Sequence, residues 1–256
     1  MAKVIAVTNQ KGGIGKTSTV LALGAGLKER GSKVLYVDLD PQCNLSFALD
    51  AQKSPRSAFG LLTEENEAWE AVQLRDTGGV IAASPNLAGI DLLLSGTTGR
   101  EYRLKKALET VEGASDYILI DTPPSLGTLT VNALAAADYV IVPAQAEVFS
   151  IQGISQLAQS IDSVKEYCNP DLVVLGILLT RHNERTNLAQ DLSELMELQA
   201  KTLGTELFET TIREAVAVRE AQAMQVSIFE HAPKRNVAKD YKAFITEELE
   251  RIESYE

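Results

Sequence analysis

The stretch QKGGIGKTS, residues 10–18, decides the fold of this 256-residue chain. It follows the apolar run VIAV, residues 4–7, and precedes a segment with the apolar spacing of a helix. A strand that leads through a glycine-rich loop into a helix is the setting in which backbone N–H groups bind phosphate. Gly12, Gly13 and Gly15 lack a Cβ, so the loop can turn tightly. The stretch therefore predicts a phosphate-binding loop.

Two side chains of this loop suit a magnesium-bound nucleotide. Lys16 is placed to reach the β- and γ-phosphates, and the Thr17 hydroxyl is placed to bind Mg²⁺. The general pattern G-x-x-x-x-G-K-[ST] has glycine where this chain has Gln10, and a second lysine, Lys11, stands at the front of the loop. The form K-G-G-x-G-K-[ST] resembles the deviant Walker A loop of the ParA/MinD family of ATPases. A glycine turn with a chance lysine is the plain structural alternative.

Composition and charge narrow the classes of function. Hydrophobic residues make up 45% of the chain, which supports a large core. The net charge of −11 argues against a wholly basic nucleic-acid binder and confines DNA contact to a local, salt-sensitive patch. The start, MAKVIAV, enters a strand pattern at once, so no signal peptide is expected, and no apolar run approaches the length of a membrane span. With two separated cysteines, Cys43 and Cys168, we expect a reduced, cytoplasmic protein.

Acidic residues end two further strand patterns. Residues 33–39, KVLYVDL, complete a βαβ unit, and Asp38 and Asp40 stand at the carboxyl end of that strand. Residues 116–121, DYILID, end in Asp121, which is a Walker B pattern. Because ligands gather at the carboxyl ends of parallel strands, we expect these carboxylates near the phosphates. Turn, cap or ordinary strand-end chemistry is the alternative for each of them.

The strings VDLDPQ and DTPPSL extend the resemblance to the same family. The resemblance implies that Asp40 orients the attacking water, that Asp38 lies near the metal shell, and that Asp121 holds Mg²⁺. It also implies that the segment after Asp121 senses the γ-phosphate. Where the family commonly has glycine after the PQ pair, this chain has Cys43, which we expect to be a small buried residue.

The adenine side of the site is expected beyond the apolar run LVVLGILLT, residues 172–180. The resemblance places an adenine-binding polar residue just past this strand, and Asn183 matches it, since an amide both donates and accepts hydrogen bonds. A capped loop is the alternative. The family's E-A-P motif is not clearly present, and Glu220, Ala221 and Gln222 stand nearest to it without the proline.

The remaining segments predict further helices and strands of the domain. We expect short helices over residues 54–62 and 66–72, a short strand over 79–84, an amphipathic helix over 99–112, a strand over 139–142, and helices over 151–167, 187–203 and 237–252.

Five basic residues in the last quarter of the chain are candidates for DNA contact. Arg213 and Arg219 are candidates by resemblance, because they follow the strand pattern of residues 208–211. For Lys234, Arg235 and Lys239, which lead into or lie on the last helix, a solvated helix face is the alternative.

The motifs follow the family's order along essentially the whole chain. The fold implied is a single doubly wound α/β domain, residues 1–256, with a mostly parallel, twisted sheet flanked by helices and without an N-terminal DNA-reading domain. The implied activity is Mg²⁺-dependent ATP hydrolysis by a homodimer that forms on ATP, with Lys11 reaching the partner's phosphates. The ATP dimer would bind nonspecific double-stranded DNA at the nucleoid, and a ParB-like partner would stimulate hydrolysis during plasmid or chromosome segregation.

These inferences assign roles to named residues. The catalytic candidates are Lys11, Lys16 and Asp40, and the metal candidates are Thr17, Asp38 and Asp121. The ATP-binding candidates are Lys11, Gly12, Gly13, Ile14, Gly15, Lys16, Thr17, Ser18 and Asn183.

Two relatives of the family remain as alternatives. A MinD-like ATPase would position a protein cargo or act at the membrane surface through a basic amphipathic C-terminal helix. The tail here, ITEELERIESYE, is acidic, so stable membrane anchoring is not expected. An iron–sulfur relative would need a CxxC pair or cysteines shared across a dimer, and neither Cys43 nor Cys168 lies in such a motif.

Overall fold

A computed structural model of the chain describes residues 1–182 and 187–255, without the side chains of residues 148–152 and 187–194. Its strands are β1 (Lys3–Val7), β2 (Val34–Asp38), β3 (Val72–Arg75), β4 (Gly78–Ile81), β5 (Tyr117–Asp121), β6 (Tyr139–Ala144), β7 (Val173–His182) and β8 (Ile212–Arg213). Its helices are α1 (Lys16–Glu29), α2 (Asn44–Ala48), α3 (Ala58–Leu62), α4 (Ala68–Ala71), α5 (Ile90–Leu93), α6 (Arg103–Leu108), α7 (Thr128–Ala136), α8 (Val148–Tyr167), α9 (Asn187–Thr202), α10 (Val216–Ala223), α11 (Ile228–His231) and α12 (Asn236–Tyr255).

The strands form one 8-stranded sheet in the order β3-β4-β2-β5-β1-β6-β7-β8. Every neighbouring pair is parallel except β3 and β4, which form an antiparallel hairpin at one edge. The register aligns Val7 with Asp121 and Asp38 with Asp121, so three strands end side by side. The predicted doubly wound α/β fold is therefore confirmed, and Asp38 and Asp121 lie side by side at the carboxyl ends of their strands.

The central strands are buried on both faces of the sheet, which explains why their sequences are continuous apolar runs. Along β1, Val4 and Ala6 belong to one hydrophobic core, whereas Ile5 and Val7 belong to the other. Buried residues of α3–α9 contribute to the first core, and those of α1, α2 and α10–α12 contribute to the second. Alternating side chains of a strand point to opposite faces, so each central strand joins two layers of helices.

Several predicted elements differ from the structure. The helix expected over residues 66–72 ends at Ala71, and Val72 begins edge strand β3, whose half-polar sequence VQLR did not read as a buried strand. The helix expected over 99–112 is reduced to a short 3-10 turn and α6. The strand expected to end at Val142 continues through Pro143, which pairs with Leu178 of β7. Helix α7 was not predicted, because small apolar residues such as those of TLTVNALAA give little amphipathic contrast.

The last helix, α12, packs along α1 and buries residues at helical spacing. One of these is Glu248, which is 0% exposed and has no hydrogen-bond partner for either carboxylate oxygen within the described residues. Burial raises the pKa of Glu248 to about 8, although Lys3 and Arg30 oppose the shift.

Across residues 1–182 and 187–255, none of the helices combines the length and the apolar character that a membrane crossing needs.

Candidate nucleotide-binding site

The loop between β1 and α1 has the backbone that its glycines predict. Gly13 has φ of 73° and Gly15 has φ of 97°, which are left-handed conformations that side chains disfavour. Ile14 stands between them and is 1% exposed, so it anchors the loop in the core. Helix α1 begins directly at Lys16, and its first N–H groups face the loop. The geometry is that of an anion-binding turn at a helix N-terminus.

Lys16 lies inside this loop, with only 6% of its surface exposed. Its Nζ donates a hydrogen bond of 3.0 Å to the carbonyl oxygen of Lys11. Burial lowers the pKa of Lys16, whereas the nearby carboxylates of Asp121 and Asp40 oppose this shift. A partly desolvated ammonium group in the middle of the loop is well placed to bind phosphate oxygens.

Thr17 and Asp121 meet although they are 104 residues apart in sequence. The Thr17 hydroxyl donates a hydrogen bond of 2.6 Å to Asp121 Oδ2. Asp121 is 0% exposed, and its Oδ1 has no hydrogen-bond partner within the described parts of the chain. Burial raises the pKa of Asp121 well above its usual range, Asp38 adds to this effect, and Thr17 and Lys16 oppose it. A buried carboxylate oxygen without a partner beside a hydroxyl group fits Mg²⁺.

No set of three or more His, Cys, Asp or Glu side chains in residues 1–182 and 187–255 is arranged to hold a metal ion. The oxygen ligands that this part of the site offers to a metal ion are the carboxylate of Asp121 and the hydroxyl of Thr17. Mg²⁺ commonly keeps several waters and binds one or two carboxylates together with phosphate oxygens. The donor set therefore fits a magnesium ion that arrives with a nucleotide rather than one bound by protein alone.

Asp38 supports the loop that follows β2. Its Oδ1 accepts a hydrogen bond of 3.0 Å from the backbone N–H of Asp40. Its Oδ2 accepts hydrogen bonds from the backbone N–H of Ser46 at 2.8 Å and from the Ser46 hydroxyl at 2.7 Å. Burial raises the pKa of Asp38 to about 6. Because both oxygens are bound within the chain, Asp38 positions Asp40 in this structure, and its role near a metal stays a prediction.

Asp40 reaches the rim of the site. It is 8% exposed, and its Oδ1 accepts a hydrogen bond of 3.0 Å from the backbone N–H of Gln42. Cys43 follows in a left-handed conformation, with φ of 57° and ψ of 30°, at the start of α2. Cys43 is half-buried, so the expectation of a buried residue was wrong. Glycine would adopt this left-handed backbone without the strain that a side chain adds.

Two bracing residues were missed by the sequence reasoning. Asn9 Nδ2 donates a hydrogen bond of 2.8 Å to the carbonyl oxygen of Pro143, and Asn9 Oδ1 accepts one of 3.2 Å from the N–H of Lys11. The Thr180 hydroxyl donates to the carbonyl oxygen of Ile14 at 2.6 Å. Both residues are polar and stand where apolar strand runs end, which is a signal that could have identified them.

Lys11 lies at the front of the loop, and its side chain is 31% exposed. Its Nζ lies 2.5 Å from Glu147 Oε2 and 3.4 Å from Gln145 Oε1. Both partners belong to the segment after β6. In the structure of the single chain, the second lysine of the loop is therefore bound within its own subunit.

The expected adenine side is described only in part, because Asn183 lies outside the described residues. A crevice of about 50 Å³ opens beside Gly15 and is lined by Thr180, Arg181 and Val218, among others. Next to it, Gln222 Nε2 donates a hydrogen bond of 2.9 Å to the Ser18 hydroxyl. Gln222 thus links α10 to the first turn of α1.

The candidates for DNA contact lie on β8, on α10, in the turn between α11 and α12, and in the first turn of α12. The Arg213 guanidinium forms two hydrogen bonds with the Asp240 carboxylate, at 2.6 and 2.9 Å. The other four candidates are exposed and, within the described residues, form no ion pair; they are Arg219, Lys234, Arg235 and Lys239. Four of the five candidates are therefore exposed basic side chains on an acidic protein, and Arg213 is already paired with Asp240.

Comparisons with known proteins agree with this geometry. A family model described as "AAA domain" matches residues 2–174. Sporulation initiation inhibitor protein Soj of Bacillus subtilis (strain 168) is 39% identical over 245 residues, which cover 94% of this chain and 96% of that protein. Chromosome partitioning protein ParA of Myxococcus xanthus (strain DK1622) is 36% identical over 256 residues, covering 98% and 89%.

A solved structure is similar over the full length of the chain. The crystal structure of cobyrinic acid a,c-diamide synthase from Mycobacterium smegmatis with bound ADP and magnesium has a TM-score of 0.85 and 37% identity. The match covers 100% of this chain and 97% of that one. The predicted resemblance is therefore confirmed. The chain belongs to the ParA/Soj family of P-loop partition ATPases.

Proposed function

We propose that the chain binds ATP with Mg²⁺, hydrolyses it, and switches between a monomer and a DNA-binding homodimer that partitions a plasmid or chromosome. The observation that carries the proposal is the convergence of Lys16, Thr17 and Asp121 at the carboxyl edge of the sheet. The similar solved structure holds ADP and magnesium. The names of the relatives support a role in partitioning.

The residues of the site divide the chemistry between them. The loop N–H groups and Lys16 bind the phosphate oxygens, while Thr17 and Asp121 hold Mg²⁺. When bound there, Mg²⁺ supplies positive charge against the charge that develops on the phosphates. Asp40 lies close enough to Lys16 for their charges to interact, and it orients the attacking water. The base lies toward the crevice beside Gly15. Asn183, which lies outside the described residues, is the proposed hydrogen-bond partner of the edge of the base.

Two subunits close on each other when ATP is bound. In the closed dimer, Lys11 of each subunit reaches the phosphates of the other and neutralises negative charge there. ATP favours this dimer only to the extent that it binds the dimer more tightly than the monomer. Hydrolysis removes that difference and separates the subunits. Lys11 thus couples nucleotide state to assembly.

The ATP dimer binds duplex DNA without sequence preference. Exposed Arg219, Lys234, Arg235 and Lys239 supply contacts to phosphate groups on a chain whose net charge is −11. Such contacts release counterions and weaken steeply as salt rises. A ParB-like partner stimulates hydrolysis and releases the dimer from the nucleoid. The cycle of binding and release drives segregation.

Binding to nonspecific duplex DNA tests this proposal. We would compare the protein without nucleotide, with ADP and with ATP, at low and moderate salt, and include Asp40→Ala, which should trap the closed dimer. We expect binding only with ATP, strongest for Asp40→Ala and weaker at higher salt. Lys239→Ala should lower the slope of log affinity against log salt concentration by about one. The matched control is Lys105→Ala, which removes an exposed charge from α6.

Two results would count against parts of the proposal. ATP-driven dimerisation without DNA binding in any state would remove the DNA role and keep the ATPase switch. ATP turnover that depends on an acid substrate, and not on DNA or dimer formation, would instead favour the synthase activity named for the solved relative.

A further inference from the structure

The contact between Lys11 and Glu147 connects two loops at the same edge of the sheet. Lys11 Nζ lies 2.5 Å from Glu147 Oε2, and the amide oxygen of Gln145 lies 3.4 Å from the same nitrogen. Glu147 immediately precedes α8 and has 52% of its side chain exposed. The ion pair therefore lies at the surface and joins the phosphate-binding loop to the segment that follows β6.

The backbone around this ion pair is held in place by buried contacts. Asn9 Nδ2 binds the carbonyl oxygen of Pro143 at 2.8 Å, and Asn9 Oδ1 binds the N–H of Lys11 at 3.2 Å. Asn9 is 2% exposed. The two backbone segments are thus fixed relative to each other, and only the side chains of Lys11 and Glu147 have to move for the ion pair to separate.

The carboxylate of Glu147 keeps a second stabilising interaction when Lys11 leaves. Helix α8 runs from Val148 to Tyr167, and Glu147 stands at its N-cap position. The partial positive charge at the N-terminus of a helix stabilises a nearby carboxylate. Separation of the ion pair therefore leaves no buried charge, and the exposed pair itself is weak.

We infer that Glu147 is a positioning residue that holds Lys11 within its own subunit until a bound nucleotide on a partner subunit draws the lysine away. This inference rests on the proposed function, in which Lys11 acts across the dimer. Glu147 and the phosphates bound to the partner subunit compete for the ammonium group of Lys11. The competition raises the ATP concentration that dimerisation requires and limits dimer formation at low ATP.

The size of the effect follows from the exposure of the pair. A surface ion pair changes an equilibrium by about threefold, and a dimer separates two such pairs, so the combined effect is about tenfold. Glu147→Gln keeps the shape of the side chain and removes its charge. Because each dimer binds two ATP molecules, a tenfold change in the dimerisation equilibrium corresponds to about a threefold change in the ATP concentration. We therefore expect this variant to dimerise at about one-third of the ATP concentration that the unaltered protein needs, measured by sedimentation velocity.

A second measurement is independent of dimer formation. In nucleotide-free protein, the rate of Lys11 acetylation by an amine-reactive reagent, followed by mass spectrometry, reports whether the ammonium group is paired. We expect a rate about threefold higher in Glu147→Gln, with exposed Lys105 as the internal reference. The matched control is Glu166→Gln, which removes an exposed carboxylate from the distant end of α8 and should change neither readout.

The outcomes separate this inference from the proposed function. An unchanged acetylation rate in Glu147→Gln would overturn the inference, whatever ATP does to the protein. A variant that needs more ATP to dimerise than the unaltered protein would also overturn it, because Glu147 would then contribute to the dimer itself. If the unaltered protein does not dimerise with ATP, the proposed function fails, and faster acetylation would still confirm the intrachain hold on Lys11.

Discussion

The Thr17 hydroxyl and Asp121 Oδ2 lie 2.6 Å apart and join the first turn of α1 to the end of β5. This contact depends on the parallel register of β1 with β5, which brings Val7 beside Asp121. It leaves Asp121 Oδ1 buried without a partner among the described residues. The pair is therefore both a brace within the fold and the donor set that suits Mg²⁺.

Thr17→Val keeps the shape of the side chain and removes the hydroxyl. We expect Mg²⁺-dependent ATP hydrolysis to fall by about 100-fold, because the hydroxyl proposed to bind Mg²⁺ is removed and the charge that develops on the phosphates is less well stabilised. Steady-state release of phosphate measures this effect. Thr17→Ser, which restores the hydroxyl, should keep most of the activity, and full activity in Thr17→Val would contradict the assignment.

Thr180→Val tests the brace between β7 and the phosphate-binding loop. The Thr180 hydroxyl shares its one proton between the carbonyl oxygens of Ile14 and Ala144, at 2.6 and 3.2 Å, in a buried setting. Leaving these acceptors unpaired should lower the free energy of unfolding by about 1–3 kcal/mol. Urea denaturation measures the decrease. Thr180→Ser is the control and should lie close to the unaltered protein.

Cys43→Gly should stabilise the protein. Cys43 has φ of 57°, and a side chain in the left-handed region costs roughly 1–2 kcal/mol, partly offset by the greater freedom of glycine in the unfolded chain. We expect a net gain of about 0.5–1 kcal/mol in thermal or urea unfolding. Cys43→Ala removes the thiol but keeps the backbone strain, so an equal gain in that variant would attribute the effect to the thiol instead.

Glu248 should make stability depend on pH. Its pKa is raised from 4.5 to about 8, so the folded protein holds a proton that the unfolded chain releases. The free energy of unfolding therefore falls as pH rises from about 4.5 to about 8, and then levels off. Within this range, a rise of one pH unit lowers the free energy of unfolding by at most about 1.4 kcal/mol.

Glu248→Gln stays neutral and should remove this dependence. We expect the variant to match the unaltered protein near pH 4.5 and to exceed its stability by up to a few kcal/mol at pH 8. Urea unfolding at several pH values measures the difference. The control is Glu250→Gln, an exposed neighbour on α12 that should leave the slope unchanged. An unchanged slope in Glu248→Gln would show that another group titrates.

The sequence was informative where chemistry is local. The loop of residues 10–18 carries its glycines, its lysines and Thr17 within a few positions, and the short range of a strand–loop–helix unit makes its geometry predictable. Asp121 was also found, since an acidic residue at the end of a buried strand has a fixed place in a parallel sheet. By contrast, β3 and α7 were missed because neither shows a strong apolar period.

The sequence by itself determined the fold class, the phosphate-binding loop and the carboxylates near it, because these follow from local conformational preferences and from the alternation of strands with helices. The tertiary structure alone decided which distant groups meet. Asn9 reaches Pro143, Thr180 reaches Ile14, and Lys11 reaches Glu147. Each of these contacts joins loops at the ends of different strands, and their distances depend on sheet order and register, which no local stretch of sequence encodes.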